Sequence, residues 1–303
     1  MTWPRYVPSE SYCFVTRRCA QRKFLLKPSK AGNRAFEYCL AWAARKTGVQ
    51  VLCSVVLSNH YHLGLYDPKG RVSEFMRELN RLVAKHHNTM YRRRENLFSS
   101  DKFSKVLLES ALDVVRRLVY TLDNPVKADL VDTARHWPGV ISLPEHLATT
   151  KTVKRPPLFF RENGNMPKTL ELTYHKPELF EHLDDDTYRD WVARLVATRE
   201  ALRRRQREEK RRKVLGRRAV LAQHHEDSPS SDEKPFAPNP RVGIADKCGR
   251  IKAIQRLVVF LKEYAECLRR WRAGNREVVF PYGTHAMRVF HGARCAQAPP
   301  APA

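Results

Sequence analysis

No run of about 18 apolar residues occurs in this chain, so nothing in the sequence reads as a bilayer-spanning helix. Met1 to Pro8 lack the apolar centre of a secretory signal. The seven cysteines, at positions 13, 19, 39, 53, 248, 267 and 295, include no C-x-x-C pair. That spacing argues against a zinc ribbon or a dithiol redox site. An odd count without an export signal reads as reduced, mostly buried thiols, with the cytoplasm as the expected compartment. No internal repeat is found. Acidic residues are scarce as well: 32 Asp and Glu stand against 56 Lys and Arg, a net charge of +24. A field of that size gathers polyanions and supplies sequence-independent affinity for phosphate backbones. An anionic membrane surface is the weaker alternative, because no strongly apolar amphipathic helix is present to insert.

What is present divides the chain by character. Ser11 to Cys19 reads as a strand, rich in aromatic and β-branched residues. A helix follows, with Asn33 as its expected cap and Gly48 as its stop. Gln50 to Leu57 and Tyr61 to Tyr66 read as adjacent central strands with a tight turn near Ser58 and Asn59. A long helix is expected over Ser73 to Met90, a short strand over Val106 to Leu108, and a third helix from about Ala111 to Leu122. Pro125 should end that helix near Asn124. The order β-α-β-β-α-β-α predicts an α+β fold: a ferredoxin-like antiparallel sheet with helices on one face.

Residues 1–150 are thus the expected first domain, and 151–221 a largely helical basic extension ending in the charged run Arg199 to Lys213. Residues 222–245 read as a flexible, polar and proline-rich linker, 246–294 as a small helical segment, and 295–303 as a disordered tail. The basic run is either a solvated helix or a DNA-backbone contact.

Two segments carry chemistry. In Ser58-Asn59-His60-Tyr61-His62-Leu63 the histidines are two apart on a strand, so both project from one face. Converging imidazoles can ligate one divalent cation when a third donor and substrate or water complete the shell. A bare His-x-His is weak evidence; its position at the head of a central strand strengthens it. Tyr120 and Asn124 are four apart and share a helix face. Alone, Tyr120 reads more readily as a core or surface aromatic than as a nucleophile, and Asn124 more readily as a helix stop than as a ligand.

Taken together, these segments resemble the REP-associated tyrosine transposases, a branch of the HUH single-strand transposases and nucleases. The chain has Leu57-Ser58-Asn59-His60-Tyr61-His62-Leu63 where that family shows Met-Pro-Asn-His-hydrophobic-His-Leu. It has Asn124-Pro125-Val126-Lys127-Ala128-Asp129-Leu130-Val131 where the family shows Asn-Pro-Val-Arg-Ala-Gly-Leu-Val. Tyr12 to Arg18 resembles the family's first strand, and Phe98 to Lys105 the segment leading to its fourth. The likeness runs from about Arg5 to Arg135. Phe280-Pro281-Tyr282-Gly283-Thr284 resembles a marker of C-terminal extensions on some bacterial members. Tyr61, Lys127 and Asp129 depart from the family pattern.

The resemblance implies an HUH-type nuclease domain and a metal-dependent DNA nicking and joining enzyme. It assigns Tyr120 as the nucleophile that forms a 5′-phosphotyrosine link. His60, His62 and Asn124 would then be ligands of Mn2+ or Mg2+. Single-stranded or hairpin DNA is the implied partner, bound by a monomer or homodimer in the cytoplasm at the nucleoid. Arg17, Arg18, Arg92, Arg93, Arg94, Lys102 and Lys127 are the candidate DNA contacts. Three other readings share parts of the pattern. They are a domesticated hairpin-binding protein that does not cleave, a water-activating phosphodiesterase independent of Tyr120, and a structural RNA-associated protein.

Overall fold

The computed structural model describes residues 4–100, 103–158, 160–161, 164–230 and 241–298. Its centre is a six-stranded sheet built from β1 (Ser11–Arg18), β2 (Gln50–Leu57), β3 (His60–Asp67), β4 (Ser104–Leu108), β5 (Thr149–Lys154) and β6 (Thr169–Tyr174). The strand order is β4-β1-β3-β2-β6-β5. All neighbours are antiparallel except β2 and β6, which meet in parallel through Val51 and Tyr174. The α+β class expected from the element order is the fold observed.

Period-two alternation in the central strands sends adjacent residues to opposite faces, and the two faces of β3 carry different partners. Tyr61 turns toward α1 (Lys30–Thr47) and α2 (Val72–Met90). There its ring meets Phe36, and its hydroxyl donates to Asn80 Oδ1 at 2.6 Å. His62 turns the other way, toward α3 (Ala111–Lys127). Helices therefore cover both faces, where the sequence pattern predicts them on one. A helix bearing Val114, Leu118 and Leu122 as a buried stripe buries it against whichever face is still open.

Two helix boundaries differ from expectation for local reasons. Ser29, not Asn33, caps α1: its Oγ accepts the Gly32 N–H at 3.0 Å, while Asn33 lies inside the helix and donates to Pro138 O. Gly48 ends α1 in the left-handed region, as expected. Helix α3 continues past Asn124 with Pro125 inside its last turn. A proline there forgoes a single ladder bond. The turn is carried by the Ala128 N–H donating to Asn124 O and the Leu130 N–H donating to Pro125 O, both at 3.0 Å.

The stretch read as a helical extension over 151–221 is part strand. β5 begins at Thr149, so a boundary at 150 falls inside a strand of the main sheet. The alternation Leu170, Leu172, Tyr174 buries one side of β6 in the same core. Among the described residues of that stretch, α4 (Asp185–Glu209) and α5 (Arg217–Ala222) are the α-helical part expected there.

The described parts of 222–245 are docked rather than free. Asp227 O accepts the Phe24 N–H at 2.8 Å, His225 stacks on Tyr91 at 4.2 Å between centroids, and Glu226 pairs with both Lys23 and Arg93. Residues 231–240 lie outside the described residues.

Helix α6 (Lys247–Arg272) and α7 (Ala286–His291) form a second small core around Phe260, Tyr264, Phe280 and Met287. On α6 Tyr264 is buried, Leu257 and Leu261 are half-buried, and Ile254 and Val258 face solvent. This core joins the main one through Tyr6, whose ring lies 4.9 Å from that of Phe260. Gly283, at φ 83°, allows the closest approach, because a Cβ there would stand 2.5 Å from the Tyr6 ring. The tail assigned to 295–303 is paired at its start, where the Ala296 N–H donates to Phe280 O.

His86, on α2, is fully buried, and neither ring nitrogen has a hydrogen-bond partner among the described residues. Burial pushes its pKa down to about 4. The folded state then binds its proton less readily than the unfolded chain, whose imidazole titrates near 6.5. Stability from this group is present in full above pH 6.5 and is lost as pH falls toward 4. We expect His86→Leu to be more stable than the parent at pH 5 by about 2 kcal/mol, with the advantage shrinking toward pH 7.5. Urea denaturation at the two pH values measures it, and a difference independent of pH would contradict the assignment.

Candidate active site

The site lies where β3 faces α3. Thr16 pairs with His62 and Arg18 with His60 across the β1–β3 ladder, which puts all four residues on one face of the sheet. Each imidazole is held from its Nδ1 side. His62 Nδ1 lies 2.7 Å from Thr16 Oγ1, and His60 Nδ1 donates to Asn59 Oδ1 at 2.6 Å. In the Nδ1–H tautomer that both contacts accommodate, each Nε2 keeps its lone pair. An orienting oxygen on the far nitrogen is the usual arrangement behind a metal-ligating histidine. The two rings lie edge to face, 4.8 Å apart between centroids.

Electrostatics keep both rings neutral. Burial first, then the nearby Arg18, push His60 down to about 4. His62, only 5% exposed, is held well below the ordinary range by burial, with His60, Lys127, Arg117 and Arg18 adding to the effect. Neutral imidazoles are the ligating form. Among the described residues no group of three or more His, Cys, Asp or Glu could hold a metal ion. A cation at this pair therefore needs a further donor of another type. Two neutral nitrogen donors with oriented rings fit a borderline divalent ion of the Mn2+ class better than one that prefers an all-oxygen shell.

Tyr120 projects from α3 onto this pair. Its ring lies 5.6 Å from that of His62 and 5.8 Å from that of Phe14, and Phe14 stacks on His62 at 5.1 Å. Two cations face it: Lys127 Nζ stands 4.4 Å from the ring centroid and Arg117 Cζ 5.9 Å. Asn124 follows one turn later on the same helix, 5% exposed, and its side chain makes no hydrogen bond to the described residues.

The basic run of α4 braces this helix. Arg203 Nε lies 3.4 Å from the buried Asp123 carboxylate and Arg199 Nε 4.0 Å. Asp129 pairs with Arg212 at 3.0 Å and Arg207 at 3.8 Å, while Arg207 also reaches Asp132 at 3.4 Å. Positions 199, 203 and 207 thus form one stripe against the C-terminal half of α3, and Arg204 and Arg205 remain exposed. The charge of Asp129 is compensated within the fold. Its φ of 53° explains why glycine suits this position.

The candidate contacts divide. Arg18 and Lys127 lie at the histidine pair. Arg17, one residue out of phase, sits on the other face over the Phe98 ring and donates to Ser99 O at 2.8 Å. Arg92 and Arg94 are exposed after α2 beside a shallow cavity of about 620 Å³, while Arg93 is engaged with Glu226 and Glu95. Lys102 lies outside the described residues. Sequence reasoning missed Thr16, Asn59, Phe14 and Arg117. Arg117 and Asn59 were within reach, the one three residues before Tyr120 on a helix and the other next to His60; Thr16 and Phe14 needed the register.

Among the described residues no helix is long and apolar enough to cross a membrane. No protein-family model matches the chain, and no curated protein does. Among solved structures the chain is similar to a protein of Deinococcus radiodurans R1 provisionally named a transposase. There the identity is 14% and the TM-score 0.27, over 36% of this chain and 87% of that one. It is similar also to a REP-associated tyrosine transposase bound to a REP hairpin, with 19% identity and a TM-score of 0.41 over 48% of this chain and 84% of that one.

Proposed function

We propose that this chain is a metal-dependent tyrosine transposase or endonuclease that cuts and rejoins single-stranded DNA at repeat hairpins. One observation carries the reading: the Tyr120 ring sits 5.6 Å from His62, with His60 beside it and Lys127 and Arg117 over the same aromatic ring. His60, His62 and the Asn124 amide oxygen would hold one divalent cation, Mn2+ or Mg2+. When bound, it supplies Lewis-acid polarisation and alignment of the scissile phosphate.

The chain's own residues supply the rest. Thr16 and Asn59 fix the imidazoles. Lys127 and Arg117 place positive charge beside the Tyr120 ring, where it counters the phosphate charge. Tyr120 Oη forms a bond to phosphorus as the bond from phosphorus to the 3′ oxygen breaks. The phenolic proton is lost and the departing 3′ oxygen gains one. The products are a 5′-phosphotyrosine and a free 3′-hydroxyl. Phosphodiester energy is retained, so a second 3′-hydroxyl attacking the same phosphorus rejoins a strand without ATP.

The test mixes the protein with end-labelled single strands from the flanks of its own gene and Mn2+ or Mg2+. A protein–DNA adduct that survives denaturing electrophoresis and needs the cation is expected. Hairpin binding without cleavage under either cation would instead make the chain a domesticated recognition protein. Nicking without an adduct would make it a water-activating phosphodiesterase.

A further inference from the structure

Tyr120 lines a cavity of about 700 Å³ with walls from three parts of the chain. Helix α3 supplies Leu112, Arg116 and Arg117, α4 supplies Arg199, and the third wall is the segment Gly243 to Ala245. That segment is fastened to the main sheet and to α3. The Leu107 N–H donates to Arg241 O at 2.9 Å, the Gly243 N–H to Leu107 O at 2.8 Å, and the Ala245 N–H to Asp113 Oδ1 at 2.8 Å. Gly243 makes the approach feasible, because a Cβ there would lie 2.6 Å from Val106 Cγ1.

The lining combines three guanidinium groups with apolar surface, and Leu112 is 51% exposed. Its single carboxylate, Asp113, has both oxygens engaged, one by Ala245 N–H and one by Ser110 Oγ. Arg116 is exposed and makes no ion pair with the described residues. The volume falls in the roughly 300–1,000 Å³ range of a cleft for one small ligand, too little for a duplex.

We infer that this groove holds the single-stranded DNA adjoining the scissile phosphate, so that α4 and residues 241–245 are part of the substrate site. The inference rests on the proposed DNA-cleaving function. A strand there sets backbone phosphates against Arg116, Arg117 and Arg199, the positively charged groove by which single-strand sites track a backbone, and bases against the exposed Leu112 and the Tyr120 ring.

The experiment measures fluorescence anisotropy of a labelled oligothymidylate against salt concentration, for the full chain and for the double variant Arg116→Ala/Arg199→Ala. Arg45→Ala, on α1 across the sheet, is the control. Each lost phosphate contact should lower the slope of log affinity against log salt by about 0.7, hence by about 1.4 for the pair, with no change in the control. A second arm cross-links an oligonucleotide carrying 4-thiothymidine and maps the adducts by mass spectrometry. Adducts on the peptides holding residues 112–119 and 241–245 are expected. If the parent binds the strand, but the double variant keeps its slope and adducts fall elsewhere, the groove assignment is overturned while the DNA reading stands. A parent chain that binds no single strand overturns both. Intact strand binding with the double variant impaired only in self-association would make the groove an interface between copies.

Discussion

Tyr120→Phe is expected to abolish the covalent protein–DNA adduct and to lower strand cleavage by at least about 10⁴-fold, the scale on which loss of a nucleophile is felt. The substitution removes one oxygen and leaves the ring. The contacts of that ring with Phe14 and His62, and the cations over it, depend on the aromatic face and not on the hydroxyl. Oligonucleotide affinity should therefore stay within about twofold, since phosphate contacts by basic side chains carry it. The hydroxyl is no part of the main core, because Tyr120 is only half-buried against it, so thermal stability should also hold. This split separates a chemical role from a packing role. Retained cleavage in the variant would assign the nucleophile to water.

Replacing either imidazole should act one step earlier. His62→Ala and His60→Ala are each expected to weaken Mn2+ binding by at least about 100-fold in titration calorimetry, with cleavage falling in parallel. Thr16→Val removes the oxygen beside His62 Nδ1 while keeping the shape of the side chain, and should cost about tenfold, the lower end of what an orienting partner contributes. Protons compete with the cation only where the imidazoles accept them. With His60 held at about 4 and His62 well below its ordinary value, affinity should be nearly equal at pH 7.5 and about pH 5.5. An unperturbed pair would lose affinity steadily below 6.5. Near-ultraviolet circular dichroism confirms folding, and unchanged Mn2+ affinity in both alanine variants would remove the histidines from the site.

The sheet and its helices were legible because each element carries a strong local signal. Period-two alternation by itself assigns Tyr61 and His62 to opposite faces of a strand, and both are found there. The face chosen by α3 was not legible, since an amphipathic helix specifies that it buries a stripe and not against which side. Pro125 misled for a related reason: the rule concerns an isolated peptide, and here the downstream bonds of a packed helix outweigh one missing donor. β5 and β6 were hidden by their composition, TTKTVK and TLELTY, in which exposed polar residues dilute the alternation. Thr16 and the residues around 243 are beyond sequence reasoning, because register and long-range docking bring them to the site, whereas Asn59 adjoins His60 in the chain. Arg17 and Arg18 are adjacent in the chain yet serve opposite faces, so a charge run by itself does not say which member meets a ligand.

The central claim is that Tyr120 becomes joined to DNA, and peptide mapping of the adduct tests it most directly. The protein is allowed to react with its flanking single strand and Mn2+, the DNA and protein are digested, and the modified peptide is sequenced by mass spectrometry. A nucleotide 5′-phosphate on Tyr120, with a free 3′-hydroxyl on the released strand, is the predicted result. A modification on any other residue, or cleavage that leaves every peptide unmodified, would contradict it.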